Sequence, residues 1–143
     1  MKLNIGCGNK ILPGYINLDR VKTAEEVVSV DLETAKLPYE DASIEEVYAD
    51  NVLEHIQNFI PLMNEINRVL VPGGILKAIV PVLPHLEAFQ DPTHVRFFTQ
   101  NSFEYFVETS YLWQEVGKNY GIIPYRFSTQ KESGFLLAVG LMK

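Results

Sequence analysis

Short apolar runs alternate with turn signals along this chain, and one longer stretch carries a helical period. Leu3-Asn4-Ile5 reads as a short strand ending at Gly6-Cys7-Gly8, and Gly14-Tyr15-Ile16-Asn17-Leu18 as a second strand ending at Asp19. Val27-Val28-Ser29-Val30 is a β-branched run that stops at Asp31. Val47-Tyr48-Ala49 leads a fourth strand, ending near Asp50 and Asn51. Phe59, Leu62, Met63, Ile66, Val69 and Leu70 then recur at three- and four-residue steps, which places them on one face of a helix. Asn58 suits its N-cap, and Pro61 falls in its first turn, where a missing N–H is harmless. Val71-Pro72-Gly73-Gly74 predicts a helix stop and a turn into a fifth strand over 75–80. Asn101 or Ser102 caps a later helix running through Val107. The last two strands, over 123–129 and 135–142, flank the polar run 130–134 and predict an antiparallel hairpin. Strand-like and helix-like segments alternating in this way indicate an α/β sheet.

Composition narrows the picture only a little. The 143 residues suit one domain, and 47% hydrophobic with 21% charged residues is a globular balance. No apolar run approaches the roughly 18 residues of a membrane span, and no basic-then-apolar leader opens the chain. A net charge of −6 gives no basic footprint for nucleic acid. The single cysteine rules out an internal disulfide and fits a cytoplasmic setting.

The chemistry gathers at the strand ends. Glycines at a strand-to-turn junction let the backbone approach a ligand, and an acid closing the next strand can accept both hydroxyl hydrogens of a ribose. A dinucleotide fingerprint would need glycine at position 11, where Ile11 stands, and a ribose acid much farther along than Asp19. A P-loop is excluded, because no Gly-Lys-Ser/Thr follows any glycine turn. Pro13-Gly14 shortens the first connection to roughly one helical turn, well under an ordinary βαβ crossover.

Leu3 to Gly8, Asp19, Asp31-Leu32, the run Leu37-Pro38-Tyr39-Glu40-Asp41-Ala42-Ser43, Val52-Leu53-Glu54-His55 and Arg68-Val69-Leu70-Val71-Pro72-Gly73-Gly74 occur in that order. This set resembles class I S-adenosylmethionine-dependent methyltransferases of the type 11 branch, over residues 3 to about 82. Asp91-Pro92-Thr93-His94-Val95-Arg96-Phe97-Phe98-Thr99 resembles a segment found in small bacterial proteins of this kind. The resemblance implies a single-domain Rossmann-like fold, with a mostly parallel seven-stranded sheet, an antiparallel C-terminal strand and shortened first helices. It implies S-adenosylmethionine as cofactor. Gly6, Cys7 and Gly8 would pass under the methionine part and ribose, Asp19 would hold the ribose hydroxyls, and Asp31 would accept from the adenine amino group. Leu32 would lie against adenine, and Asp50 and Asn51 near the methionine. The usual third glycine is replaced by Lys10.

The expected activity is methyl transfer to a small-molecule acceptor by in-line displacement, without a metal. The alternative is a non-catalytic module that binds the same cofactor. An oxygen acceptor also needs a base, and His55, His85 and His94 are the available histidines. His94 lies between Asp91 and Arg96 in the loop after the fifth strand, so His94 is the expected base, Asp91 its holder and Arg96 a contact for an anionic part of the acceptor. His55 is the next candidate, and His85 reads as surface. No recognised ligand spacing joins the histidines and Asp91 into a metal centre. Cys7 serves as a small residue. Aromatic residues concentrate from Phe97 to Phe135 and suit a core, an acceptor pocket or a homodimer face.

Overall fold

The structure, a computed structural model, describes residues 1–143. Its seven strands are β1 (Lys2–Ile5), β2 (Ile16–Asp19), β3 (Val27–Ser29), β4 (Ile44–Asp50), β5 (Leu70–Pro81), β6 (Phe127–Ser133) and β7 (Leu136–Met142). They form one sheet in the order β3-β2-β1-β4-β5-β7-β6. The first five strands run parallel, β7 runs antiparallel to β5, and β6 antiparallel to β7. The expected α/β sheet and its antiparallel C-terminal pair are present.

Register explains which face is buried. Leu3 pairs with Val47 and Ile5 with Ala49, Val47 with Leu76 and Ala49 with Ala78, then Leu76 with Leu141 and Ala78 with Val139. All of these side chains are buried, so one continuous apolar face crosses the sheet. Helix α1 (Phe59–Val69) lays Phe59, Leu62, Met63, Ile66 and Val69 on that face, as the three- and four-residue period predicts. Phe98, Phe103, Phe106 and Tyr125 extend the same core beside it. The opposite face stays open. Tyr48, Lys77, Ile79, Lys131 and Ala138 line a trough along it, and Lys77 pairs there with Glu46 at 2.8 Å. No helix is long and apolar enough to cross a membrane.

Several elements differ from the sequence expectation. The shortening expected of the first helices is complete, and the connections between β1 and β2 and between β2 and β3 are turns and loops. The buried Asn4 and Asn17 side chains replace the missing helix as a brace. The Asn4 amide donates to Asn17 at 2.8 Å and to the Lys10 carbonyl at 2.7 Å, while Leu12 N–H donates to Asn17 at 2.9 Å.

Val71 to Gly74 does not leave the sheet. The helix stops at Val69 and runs directly into β5, where Leu70 pairs with Ile44 and Ile75 with Glu46, the extra residues forming a bulge. A Cβ on Gly74 would stand 2.9 Å from the Val71 carbonyl oxygen, so only glycine fits the bulge. Asn58 makes no side-chain cap; the Glu33 carboxylate accepts from the Gln57 and Asn58 amides instead, at 2.8 and 3.0 Å. The helix expected through Val107 is a 3-10 segment, Gln100–Phe106, capped by Thr99. The final hairpin turns at Gly134-Phe135, because 130–133 belongs to β6.

Candidate functional site

The carboxyl ends of the parallel strands open into a cleft of ≈ 490 Å³, the position at which open α/β sheets bind ligands and a size ordinary for a small-molecule site. Of the residues singled out in the sequence, Gly6, Asp19, Asp31, Leu32 and Asn51 line it, together with Arg20, Val30, Glu33, Val52, His55, Ile56 and Thr93. Val30, Leu32, Val52 and Ile56 supply an apolar surface beside the carboxylates of Asp19, Asp31 and Glu33.

Local conformation sets these groups in place. Gly6 turns the chain out of β1 at φ +59°, and a Cβ there would fall 2.6 Å from a Val52 methyl. The Asp19 carboxylate ties the first loop to the second: its Oδ2 accepts from Gly8 N–H at 2.8 Å and its Oδ1 from Val21 N–H at 2.9 Å. Each oxygen keeps a second lone pair for a ligand hydroxyl. Asp31 caps a 3-10 turn over Leu32–Thr34 by accepting from Glu33 N–H at 3.0 Å, which presents buried Leu32 at the cleft. Asn51 stands in the left-handed region at φ +53°, its own amide bonded to Ile79 O.

Not every predicted residue faces this cleft. Cys7 is buried and acts through its backbone, donating to Leu18 O and accepting from Lys10 N–H, while burial pushes its thiol pKa up. Gly8 stands outside the lining and shapes it through Asp19. Asp50 pairs with the Lys10 ammonium at 2.5 Å, so lysine at the third glycine position closes an ion pair between the first loop and β4. Arg96 lines a separate aromatic groove of ≈ 260 Å³ with Phe59, Phe97 and Tyr105. Its guanidinium lies over the Phe59 ring and donates to Gln57 O at 3.1 Å, bracing the loop rather than facing the cleft.

Two of the histidines meet. His55 and His94 lie edge to face with ring centroids 4.9 Å apart, whereas His85 stands near Glu132 at 3.7 Å. The loop from Asp91 to Arg96 is held against the end of β4 because Val95 and Arg96 amides both donate to Glu54 O, at 2.9 and 3.1 Å. His55 Nδ1 reaches Thr93 Oγ1 at 3.0 Å, the Thr93 hydroxyl donates to Asp91 at 2.6 Å, and His94 Nε2 lies 3.6 Å from Asp91. His94 is nearly covered and absent from the cleft lining; His55 and Thr93 are the members that face it.

Sequence reasoning passed over Glu54. Its residue is 1% exposed, its two carboxyl oxygens have no hydrogen-bond partner, and burial pushes its pKa up to about 7. Contacts with Thr93 hold the Asp91 carboxyl below its ordinary range. The cleft thus joins a carboxylate pair suited to a nucleoside with a wall of Asn51, His55 and Thr93 suited to a second reactant.

Comparison with known proteins bears on the family and the fold. The family model for the methyltransferase domain matches residues 8–78. No curated protein matches the chain in sequence. A SAM-dependent methyltransferase from Archaeoglobus fulgidus shares its fold with a TM-score of 0.72 at 14% identity, over 99% of this chain and 85% of that one. One from Aquifex aeolicus gives a TM-score of 0.63 at 16% identity, over 99% and 80%. A Thermotoga maritima protein, described as a SAM-dependent methyltransferase and possible histamine N-methyltransferase, gives a TM-score of 0.66 at 14% identity, over 99% and 81%.

Proposed function

We propose, for a chain that is a class I methyltransferase by fold and by its match to the methyltransferase domain over residues 8–78, that it methylates a small-molecule acceptor, with S-adenosylmethionine as donor. The observation that carries the reading is the cleft, where Asp19 at the end of β2 and Asp31 just beyond β3 lie beside the apolar surface of Leu32 and Ile56. This donor set fits the cofactor. A ribose diol presents two donors to one carboxylate, and charge-assisted bonds of that kind are the strong ones. Asp31 has a free oxygen for an adenine amino group, and Leu32 gives the ring an apolar face. Gly6, Cys7 and Gly8 carry the backbone beneath the remainder of the molecule.

When bound, the cofactor would supply a methyl group on a sulfonium for in-line displacement, the acceptor bonding the methyl carbon as the neutral thioether departs. The protein supplies position and proton handling. Asn51, His55 and Thr93 orient the acceptor at the cleft wall. The cluster behind them, Glu54, Asp91 and His94 with His55, takes up the proton that an oxygen or nitrogen acceptor loses.

Calorimetry with S-adenosylhomocysteine, followed by turnover of labelled methyl donor against acceptor libraries, tests the reading. Saturable binding with turnover of one acceptor class supports it. Binding without turnover of any acceptor makes the chain a cofactor-binding module, and absence of binding removes the cleft assignment.

A further inference from the structure

We propose that Glu54, His55 and His94, joined by Asp91, form a binding site for one divalent transition-metal ion of the zinc type, at the rim of the cleft. Hydrogen-bond chemistry assigns the imidazoles. His94 Nδ1 lies 2.8 Å from the Ala88 carbonyl oxygen, and His55 Nδ1 lies 3.2 Å from the Thr93 carbonyl oxygen. A carbonyl only accepts, so both Nδ1 atoms carry the hydrogen. The Thr93 hydroxyl gives its one hydrogen to Asp91, so it too accepts from His55. With Nδ1 so engaged, Nε2 is the nitrogen each ring has left to offer a metal ion.

Those Nε2 atoms face carboxyl oxygens. His55 Nε2 lies 4.0 Å from Glu54 Oε1, and His94 Nε2 lies 3.6 Å from Asp91 Oδ2. One ligand atom from each of Glu54, His55 and His94 falls within a 4.8 Å span. Glu54 is almost wholly buried and both its oxygens are without a donor. Two imidazole nitrogens beside a buried carboxyl that no donor reaches make a cradle that a cation would fill.

The donors select its class. Two nitrogens and carboxylate oxygens suit zinc and its neighbours, whereas magnesium and calcium prefer oxygen throughout. Histidine ligands anchored at the far nitrogen by a carbonyl are the usual outer arrangement of such sites. Bonds of about 2.1 Å bring tetrahedral ligands to roughly 3.4 Å from one another, so the widest pair within the 4.8 Å span closes by about 1.4 Å. No linear spacing reveals the set, because Glu54 and His55 lie on one turn and Asp91 and His94 on a loop that follows another strand. The ion would fasten that loop to the end of β4 and would compete for the lone pairs that otherwise take up the acceptor's proton.

The test uses tag-free full-length protein, stripped with chelator and titrated with Zn²⁺ by calorimetry and with Co²⁺ by visible absorption. The expected result is one equivalent per chain, weakened roughly tenfold or more in Glu54→Gln and in His94→Ala, and unchanged in His85→Ala. Glu54→Gln keeps the volume of the side chain, so its titration decides should His94→Ala fail to fold. Absence of saturable one-equivalent binding overturns the proposal, as does unchanged affinity in Glu54→Gln. Metal binding is read without cofactor or turnover, so its failure is separate from failure of the methyltransferase reading.

Discussion

One hydrogen bond joins the tip of β2 to the turn after β1: the Gly8 amide donates to Asp19 Oδ2 at 2.8 Å. A residue expected only to hold a ribose therefore also shapes the loop that forms the floor of the cleft.

Asp19→Ala should lose both roles. Removing a charge-assisted contact costs about 1.5–3 kcal/mol, a tenfold or greater loss of S-adenosylhomocysteine affinity by calorimetry. The melting temperature should fall as well, since Gly8 and Val21 amides lose their acceptor. Asp19→Asn keeps an acceptor for one amide, so it should recover more stability than affinity. Unchanged affinity in both variants would remove Asp19 from the site.

Gly6→Ala should destabilise the chain and distort the cleft, because its φ of +59° disfavours a side chain and a Cβ meets Val52 at 2.6 Å. Adding Val52→Ala relieves the collision but not the backbone strain. Denaturant unfolding should therefore show the double variant more stable than Gly6→Ala, though less stable than Val52→Ala alone.

Asn17→Ala orphans one hydrogen of the Asn4 amide and the Leu12 N–H. Each buried orphan costs ~1–3 kcal/mol. Urea unfolding measures the sum, and a loss under ~0.5 kcal/mol, the usual range of surface substitutions, would show that water replaces the brace.

Arg68 fastens α1 to the 37–43 segment through Asp41 at 2.5 Å and the Tyr39 carbonyl at 2.9 Å, and pairs within the helix with Glu65 at 2.6 Å. The guanidinium holds the Glu65 carboxyl below its ordinary range. Its contribution is therefore complete above the unfolded value of about 4.3 and is lost as pH falls through the lower folded value. Arg68→Gln should reduce stability at neutral pH and flatten this acid-side loss, read as melting temperature between about pH 2 and 7. An equally steep acid limb in the variant would assign it to other carboxylates.

The parts of the site that the sequence reveals are those where backbone and chemistry coincide. Glycine at Gly6 and acids at Asp19 and Asp31 close short apolar runs, so their placement follows from strand ends alone. Helix α1 shows itself by period. Glu54 does not, because a glutamate beside a histidine reads as surface and its burial comes from the loop of 91–96 folding over it. Glu33 reaches a helix terminus 24 residues away, beyond any local capping pattern. The polar stretch 130–133 reads as a turn, since β6 is an edge strand whose side chains are exposed or only half-buried and so carries no alternation.

Missing helices between the first strands also have a dynamic consequence. β3 is a three-residue edge strand, joined to β2 by the largely exposed stretch 20–26. Few buried contacts hold this corner, so it should open at a fraction of the free energy needed to unfold the sheet. A ligand spanning Asp19 and Asp31 would stitch the tips of β2 and β3 together. Amide hydrogen exchange should then slow over 20–34 when S-adenosylhomocysteine binds, while α1 changes little. The cofactor would act as the missing structural element of this corner, and occupancy would govern its fluctuations.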